Sequence, residues 1–169
     1  MAVTFAGELA QSEQVLFTAD KNFFNDIDGS MKNLEGSLDA ADNKKPSVLI
    51  VDDDAAVRRF LSKVFKKLDL PFIAVETGEQ AVDYGRKMPF DVAFIDMVLP
   101  GINGVQTLKK IKELNPKVKA VVFTGFRENK MIEEALELGA QAVLDKPFSV
   151  TEIFGVMSRM ISPPDTGKK

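Results

Sequence analysis

Five polar residues stand at or just after the ends of short apolar runs, and their side chains together would suit a phosphate group. They are Asp52, Asp53, Asp96, Thr124 and Lys146. Three carboxylates brought together repel one another and raise each other's pKa unless a cation lies among them. Mg²⁺ binds carboxylate and phosphate oxygens, lysine adds an ammonium, and threonine adds a hydroxyl donor. The set therefore predicts a receptor for a tetrahedral dianion, in which one carboxylate accepts a phosphoryl group.

The composition narrows the chemistry further, because the 169 residues include neither histidine nor cysteine. This excludes a Ser-His-Asp triad, imidazole general bases, thiol nucleophiles, disulfides and metal sites built on imidazole or thiolate. Any metal should be a hard cation held by oxygens. The net charge of −3 gives no basic surface for nucleic acid. With no secretory signal and no apolar run of about 18 residues, we expect a cytoplasmic protein without a membrane span.

The elements that would position these side chains alternate along the chain from Ser47 onward. Strands are predicted at 47–51, 72–75, 92–95, 118–123 and 142–144. Helices are predicted at 55–68, 77–87, 103–114, 128–138 and 149–161. Asp54 is a predicted N-cap, and the pairs Thr77/Gln80 and Ser149/Glu152 are predicted capping boxes. Right-handed crossovers make this (βα)₅ pattern a doubly wound parallel α/β sheet, whose ligands bind at the carboxyl ends of the strands.

Each of these residues has an ordinary structural interpretation when it is taken alone. An acid after a strand is commonly a turn residue or a helix cap, and Thr124 and Lys146 could be plain surface residues. Arg58 and Arg59 are interpreted as a solvated helix face. The joint placement of acids, hydroxyl and ammonium at successive strand ends favours function over these interpretations.

Residues 1–45 differ in charge from the rest of the chain. They hold eight acids and four lysines, a net of −4, so that the remainder is +1. From Phe23 the apolar residues are spaced as on one helix face, which predicts a helix within about residues 20–40. Gly29 and Gly36 weaken it, so we expect it to dock on the main domain, pair with a copy or order on a partner. The predicted organisation is a 1–45 extension, a 46–162 domain and a 163–169 polar tail.

The combined motifs resemble the receiver domain of two-component response regulators over about residues 46–162. The matching residues are Val51-Asp52-Asp53, Asp96 with Pro100 and Gly104, Thr124, and Lys146-Pro147-Phe148. The resemblance implies a flavodoxin-like fold with strand order 2-1-3-4-5. It also implies that Asp96 accepts a phosphoryl group from a sensor histidine kinase or a histidine-containing phosphotransfer protein.

The same resemblance implies roles for the remaining site residues. Asp53, Asp96 and the backbone carbonyl of Val98 would bind Mg²⁺, and Asp52 would hold a metal-bound water. Lys146 would pair with the phosphoryl group, and Thr124 would donate a hydrogen bond to it.

Two positions depart from the family pattern. Val143 stands three residues before the lysine, where the family often has an aromatic residue, so that Phe126 or Phe148 would have to take its part in a switch. Val98, two residues after Asp96, is apolar at a position that tunes access of water to the aspartyl phosphate. We therefore expect slow dephosphorylation.

The short tail after Ile161 is too small for a DNA-binding domain. We expect a stand-alone receiver, similar to chemotaxis regulators, that transfers phosphate to and from Asp96 without small-molecule turnover and signals by protein contact. Residues 124–160 or the N-terminal extension could contact an output protein or form a homodimer. Three alternatives stay open: a phosphorelay intermediate, a Mg²⁺-dependent phosphatase with an aspartate nucleophile, and a scaffold that is not phosphorylated.

Overall fold

The computed structural model describes residues 44–125 and 129–161, and within them the predicted alternation of strands and helices is confirmed. The strands are β1 (Val48–Val51), β2 (Phe72–Val75), β3 (Val92–Asp96), β4 (Lys119–Thr124) and β5 (Ala140–Asp145). The helices are α1 (Ala55–Lys67), α2 (Gly78–Lys87), α3 (Gly104–Leu114), α4 (Asn129–Glu137) and α5 (Val150–Ile161). The predicted N-terminal helix and the 163–169 tail lie outside the described residues.

All five strands are parallel and lie in the order β2-β1-β3-β4-β5. This is the doubly wound, flavodoxin-like arrangement, in which the chain reverses its direction of winding between β1 and β3. Val51 pairs with Ile95, and Asp96 pairs with Phe123, so the carboxyl ends of β1, β3 and β4 lie at one edge of the sheet.

Two apolar cores cover the two faces of the sheet because successive strand residues point to opposite sides. Ile50 and Phe94 belong to the core under α1 and α5, together with Phe65 and Ile153. The residues next to them in the strands belong to the core under α2, α3 and α4. β1 and β3 are buried along their whole length, which explains their unbroken apolar sequences. In the described ranges, no helix has the length and apolar character needed to cross a bilayer.

The helix starts were largely predictable. Asp54 caps α1, since its Oδ1 accepts a 2.8 Å hydrogen bond from the amide of Ala56. Ser149 and Glu152 form the predicted capping box before α5. The box at α2 is incomplete, because Gln80 accepts from the amide of Glu76 rather than from that of Thr77. A full capping box joins Asn103 and Gln106 at α3 instead.

Strand β5 begins at Ala140, two residues earlier than predicted. Gly139 has a φ of 87° and ends the turn after α4, so that the chain enters the sheet at once. Ala140 pairs with Ala120, and a bulge then shifts the register so that Val121 pairs with Ala142. Tertiary pairing thus overrides the weak strand preference of the Ala-Gln sequence.

Candidate functional site

The first strand end supplies two acids with very different exposure. Asp52 follows β1 directly and is fully buried, whereas Asp53, the next residue, is exposed. Oδ1 of Asp52 accepts a 2.8 Å hydrogen bond from the amide of Asp54, which fixes the loop before α1. One strand end therefore presents one carboxylate inside the protein and one at the surface.

Asp96 ends β3 and is also buried, with 4% of its surface exposed. Its Oδ1 accepts a hydrogen bond of 3.0 Å from the amide of Val98. The loop beyond it is held on both sides, because the amide of Met97 donates to the carbonyl of Phe123 and the amide of Gly104 donates to the carbonyl of Met97. Asp96 is thus rigidly placed at the edge of the sheet.

Lys146, which follows β5, joins the two buried acids. Its Nζ lies 2.5 Å from Oδ2 of Asp96 and 2.7 Å from Oδ2 of Asp52. Both contacts are ion pairs, and the contact with Asp96 is also a hydrogen bond. The ring of Phe123 lies beneath the ammonium, with 5.1 Å from Nζ to its centroid. The peptide bond between Lys146 and Pro147 is cis.

Thr124 completes the predicted set at the end of β4, where it is buried. Its carbonyl accepts a 2.8 Å hydrogen bond from the amide of Lys146, so β4 and β5 stay paired up to the site. Strand alternation places its side chain on the sheet face opposite that of Phe123. All the predicted site residues therefore lie at the carboxyl edge of the sheet.

Comparison with known proteins agrees with this arrangement. Residues 48–157 match the family described as the response regulator receiver domain. The chain belongs to this family. Sporulation initiation phosphotransferase F of Bacillus subtilis (strain 168) is 36% identical to this receiver over 106 residues, which are 63% of this chain and 86% of that protein. Chemotaxis protein CheY of Thermotoga maritima is 28% identical over 114 residues, 67% of this chain and 95% of that protein.

Solved structures show the same fold. A CheY-like receiver domain protein from Methanospirillum hungatei JF-1 has a TM-score of 0.68 and 23% identity, over 70% of this chain and 94% of that one. The receiver domain of a sensor histidine kinase from Pseudomonas aeruginosa PAO1, solved with a magnesium ion in its active site cleft, has a TM-score of 0.63 and 22% identity, over 70% of this chain and 98% of that one.

The electrostatics of the receiver site are governed by burial. Desolvation raises the pKa of Asp52 from 3.8 to about 7; Lys146 partly offsets this rise, and the Asp96 carboxylate adds to it. Burial alone would lower the pKa of Lys146, but the two carboxylates together raise it above its usual range. The predicted mutual repulsion of the acids is thus real for Asp52, but it is smaller than the effect of burial.

The acidic residues of the receiver fit a hard divalent cation. Asp52, Asp53 and Asp96 each offer one carboxylate oxygen, and these oxygens lie within 4.8 Å of one another. Among the described residues, Oδ2 of Asp52 is buried and lies 2.7 Å from the Lys146 ammonium. One ammonium does not balance three carboxylates, so a divalent cation would offset the remaining repulsion, and an all-oxygen ligand set suits Mg²⁺.

Arg58 is a site residue that the sequence interpretation placed wrongly. It is not on a solvated face, because its side chain is only 21% exposed and turns back toward the site. Its Nη1 donates to the backbone carbonyls of Asp52 (2.7 Å) and Asp53 (2.9 Å). One signal was present in the sequence: a cation near the start of a helix is unfavourable for the helix dipole, and it therefore calls for another partner.

Two positions depart from the family pattern, Val143 and Val98. For Val143, the aromatic residues that would have to replace its function are Phe126 and Phe148. Phe148 is buried between Phe60 and Phe123, at 6.0 and 5.5 Å between ring centroids, so it is a core residue rather than a surface switch. Phe126 lies outside the described residues. Val98 is 49% exposed two residues after the buried Asp96, and its amide donates to the Asp96 carboxylate.

Proposed function

We propose that this receiver accepts a phosphoryl group on Asp96, in the cytoplasm, from a sensor histidine kinase or a histidine-containing phosphotransfer protein. The observation that carries the proposal is the position of Lys146 Nζ, 2.5 Å from Asp96 and 2.7 Å from Asp52. A single ammonium against two buried carboxylates, with Asp53 exposed beside them, is a charge arrangement suited to an incoming dianion and its metal ion. We take residues 46–162 as the extent of the receiver.

The transfer is a single displacement at phosphorus. An oxygen of the Asp96 carboxylate forms the new P–O bond while the P–N bond of the donor phosphohistidine breaks, and the donor imidazole leaves with the electron pair. Lys146 stays within reach of the phosphoryl oxygens and balances their charge. Thr124 donates its hydroxyl hydrogen to a phosphoryl oxygen.

Asp52, Asp53, Asp96 and the Val98 carbonyl are the groups that would hold Mg²⁺. The bound ion would neutralise charge on the equatorial phosphoryl oxygens. The clustering of one oxygen from each of the three acids within 4.8 Å supports this assignment. The magnesium ion in the related receiver from Pseudomonas aeruginosa agrees with it.

The proposal is tested with acetyl phosphate and Mg²⁺, using intact mass to detect one added phosphoryl group. The natural protein should gain it, and Asp96→Asn should not. Asp145→Asn is a matched control, because Asp145 also ends a strand but is exposed. Equal labelling of the natural protein and Asp96→Asn would overturn the assignment of Asp96. Phosphomonoester turnover would favour the phosphatase alternative, and no labelling at all would favour a scaffold.

A second role, passing the phosphoryl group onward, has one specific support. The relative that shares 36% identity is named a phosphotransferase. In that case the phosphorylated receiver should lose its label to a histidine phosphotransfer protein faster than to water. Without an onward acceptor, we propose output through residues 124–160, either to a partner protein or in a homodimer. Leu136 of α4 is 48% exposed there and offers an apolar contact.

A further inference from the structure

A groove of about 380 Å³ lies at the amino edge of the sheet, opposite the phosphorylation site. Its apolar lining comes from the residues before β1 and β3 and from the end of α5: Pro46, Pro89, Phe90, Met160 and Ile161. The length of β3, on the order of 15 Å, separates it from the carboxyl edge. A molecule in this groove would leave the carboxyl edge open.

Three lysines border the groove: Lys44, Lys117 and Lys119. Lys119 Nζ donates to the carbonyl of Met160 near the end of α5. Lys44 and Lys117 are exposed and form no ion pair with any residue in 44–125 or 129–161. The one acid of the lining, Asp91, is held by the amide and hydroxyl of Ser47. The rim is therefore basic, and it suits an acidic, partly apolar occupant.

The N-terminal extension has this chemistry and starts at the groove. Residues 1–43 contain eight acids and two lysines, a net charge of −6. Five apolar positions in 23–38 have the spacing of one helix face: Phe23, Ile27, Met31, Leu34 and Leu38. The extension joins the described chain at Lys44, which itself lines the groove. The residues from Leu38 to Lys44 can span up to about 20 Å when extended, which is enough for the segment to fold back.

We propose that residues 23–38 dock in this groove of the same chain. Their apolar positions cover Pro46, Pro89 and Ile161, the more exposed part of the apolar lining, and the neighbouring acids Asp26, Asp28 and Glu35 face the lysine rim. Docking supplies the tertiary packing that a short helix with two internal glycines needs in water. It also gives the exposed Lys44 and Lys117 carboxylate partners.

The full chain contains no cysteine, so one introduced cysteine can carry a spin label at a single known position. A nitroxide on Ser30→Cys should broaden the backbone amides of Phe90, Lys117 and Ile161 in ¹⁵N-labelled protein. A label on Ser12→Cys is the control for general proximity of the extension and should not reproduce that pattern. Lys117→Glu should remove the broadening from the groove amides, whereas Lys109→Glu, on the exposed face of α3, should leave it unchanged.

The other occupants give different results. In a mixture of spin-labelled chain at natural isotope abundance and ¹⁵N-enriched chain without a spin label, no amide should be broadened. Broadening in this mixture would mean that a second copy fills the groove. Broadening confined to residues 129–160 would place the segment on the predicted output face. Either result, or no broadening anywhere, overturns the proposal. Phosphorylation of Asp96 should be unchanged in all these variants, so the outcome is independent of the proposed function.

Discussion

Lys146 Nζ lies 2.5 Å from Oδ2 of Asp96, and this contact ties the end of β5 to the end of β3. Lys146→Met keeps the unbranched shape and most of the length of the side chain but removes the charge next to the carboxylate. Without that charge, the phosphoryl oxygens lose a fixed cation during transfer. We expect the rate of labelling by acetyl phosphate to fall roughly a hundredfold. Lys109→Met, on the exposed face of α3, should keep the natural rate; a normal rate in Lys146→Met would contradict the role of Lys146.

Asp52 should make the metal-free protein less stable as the pH rises. Its pKa is about 7 in the folded protein against 3.8 ordinarily, so between these values the folded state keeps a proton that the unfolded state has lost. The free energy of unfolding then falls from about pH 4 to about pH 7 and levels off above it.

Asp52→Asn cannot titrate at this position. The free energy of unfolding of Asp52→Asn minus that of the natural protein should therefore increase by on the order of 2 kcal/mol between about pH 5 and about pH 8. Urea unfolding in the presence of a chelator measures this difference. Asp83→Asn, on the exposed side of α2, is the control. A difference that does not change with pH would show that Asp52 is charged throughout this range.

Arg58 should affect Mg²⁺ binding by holding the backbone of Asp52 and Asp53, two of the acids that would bind the ion. Arg58→Met removes both hydrogen bonds to the carbonyls of Asp52 and Asp53. We expect the affinity for Mg²⁺, measured by titration calorimetry, to fall about tenfold. Arg58→Lys should restore little, since both bonds come from Nη1 and the lysine side chain ends one bond short of that nitrogen.

Arg59→Met is the matched control for this experiment, because Arg59 is the exposed neighbour on α1. If the role of Arg58 were only structural, the melting temperature would drop while the Mg²⁺ affinity stayed the same. That result would remove Arg58 from the site.

Gly104 should not tolerate even a methyl group. A Cβ at this position would lie 2.6 Å from both Cα and Cε of Met97, against backbone that the sheet holds in place. Gly104→Ala should lower the free energy of unfolding by roughly 2–3 kcal/mol. Gly155→Ala is the control, since no atom lies within 4 Å of its Cβ position in α5, and it should raise stability by about 0.5–1 kcal/mol. Equal effects in urea unfolding would contradict the close packing at Gly104.

Val98 should protect the aspartyl phosphate from water. It is 49% exposed, its amide contacts the Asp96 carboxylate, and its side chain cannot orient a water molecule by hydrogen bonding. We expect the phosphoryl group to persist for minutes or longer, and Val98→Asn to shorten that time. The decay of the labelled mass after removal of acetyl phosphate measures it. A lifetime of seconds in the natural protein would refute the slow dephosphorylation expected from Val98.

The strand ends could be predicted from the sequence because buried parallel strands are nearly pure apolar runs, and the residue that ends such a run is visible at once. Asp96 and Lys146 came from that rule, and both lie at the site. The difference between Asp52 and Asp53 could not be predicted, because it depends on how the loop after β1 turns into α1. Arg58 was missed for a similar reason. Its hydrogen-bond partners near the site are backbone carbonyls, which no residue type identifies in the sequence.

The start of β5 also could not be predicted from the sequence. Ala140 and Gln141 have little preference for a strand, and only pairing with β4 across a bulge places them in the sheet. The capping at α2 differs from its prediction by a single hydrogen bond, since Gln80 accepts from the amide one residue before Thr77. Local rules thus predict which elements form, while tertiary contacts decide their last residues.

The carboxylate of Asp96 is held at both oxygens by donors from different parts of the chain, the Val98 amide and the Lys146 ammonium. A free aspartate side chain would have to give up its rotational entropy when it meets a phosphodonor. In this protein that loss has already occurred during folding, so the group meets the donor in one orientation. Even a small donor molecule that makes no contact with the rest of the protein would therefore encounter a nucleophile that is already aligned.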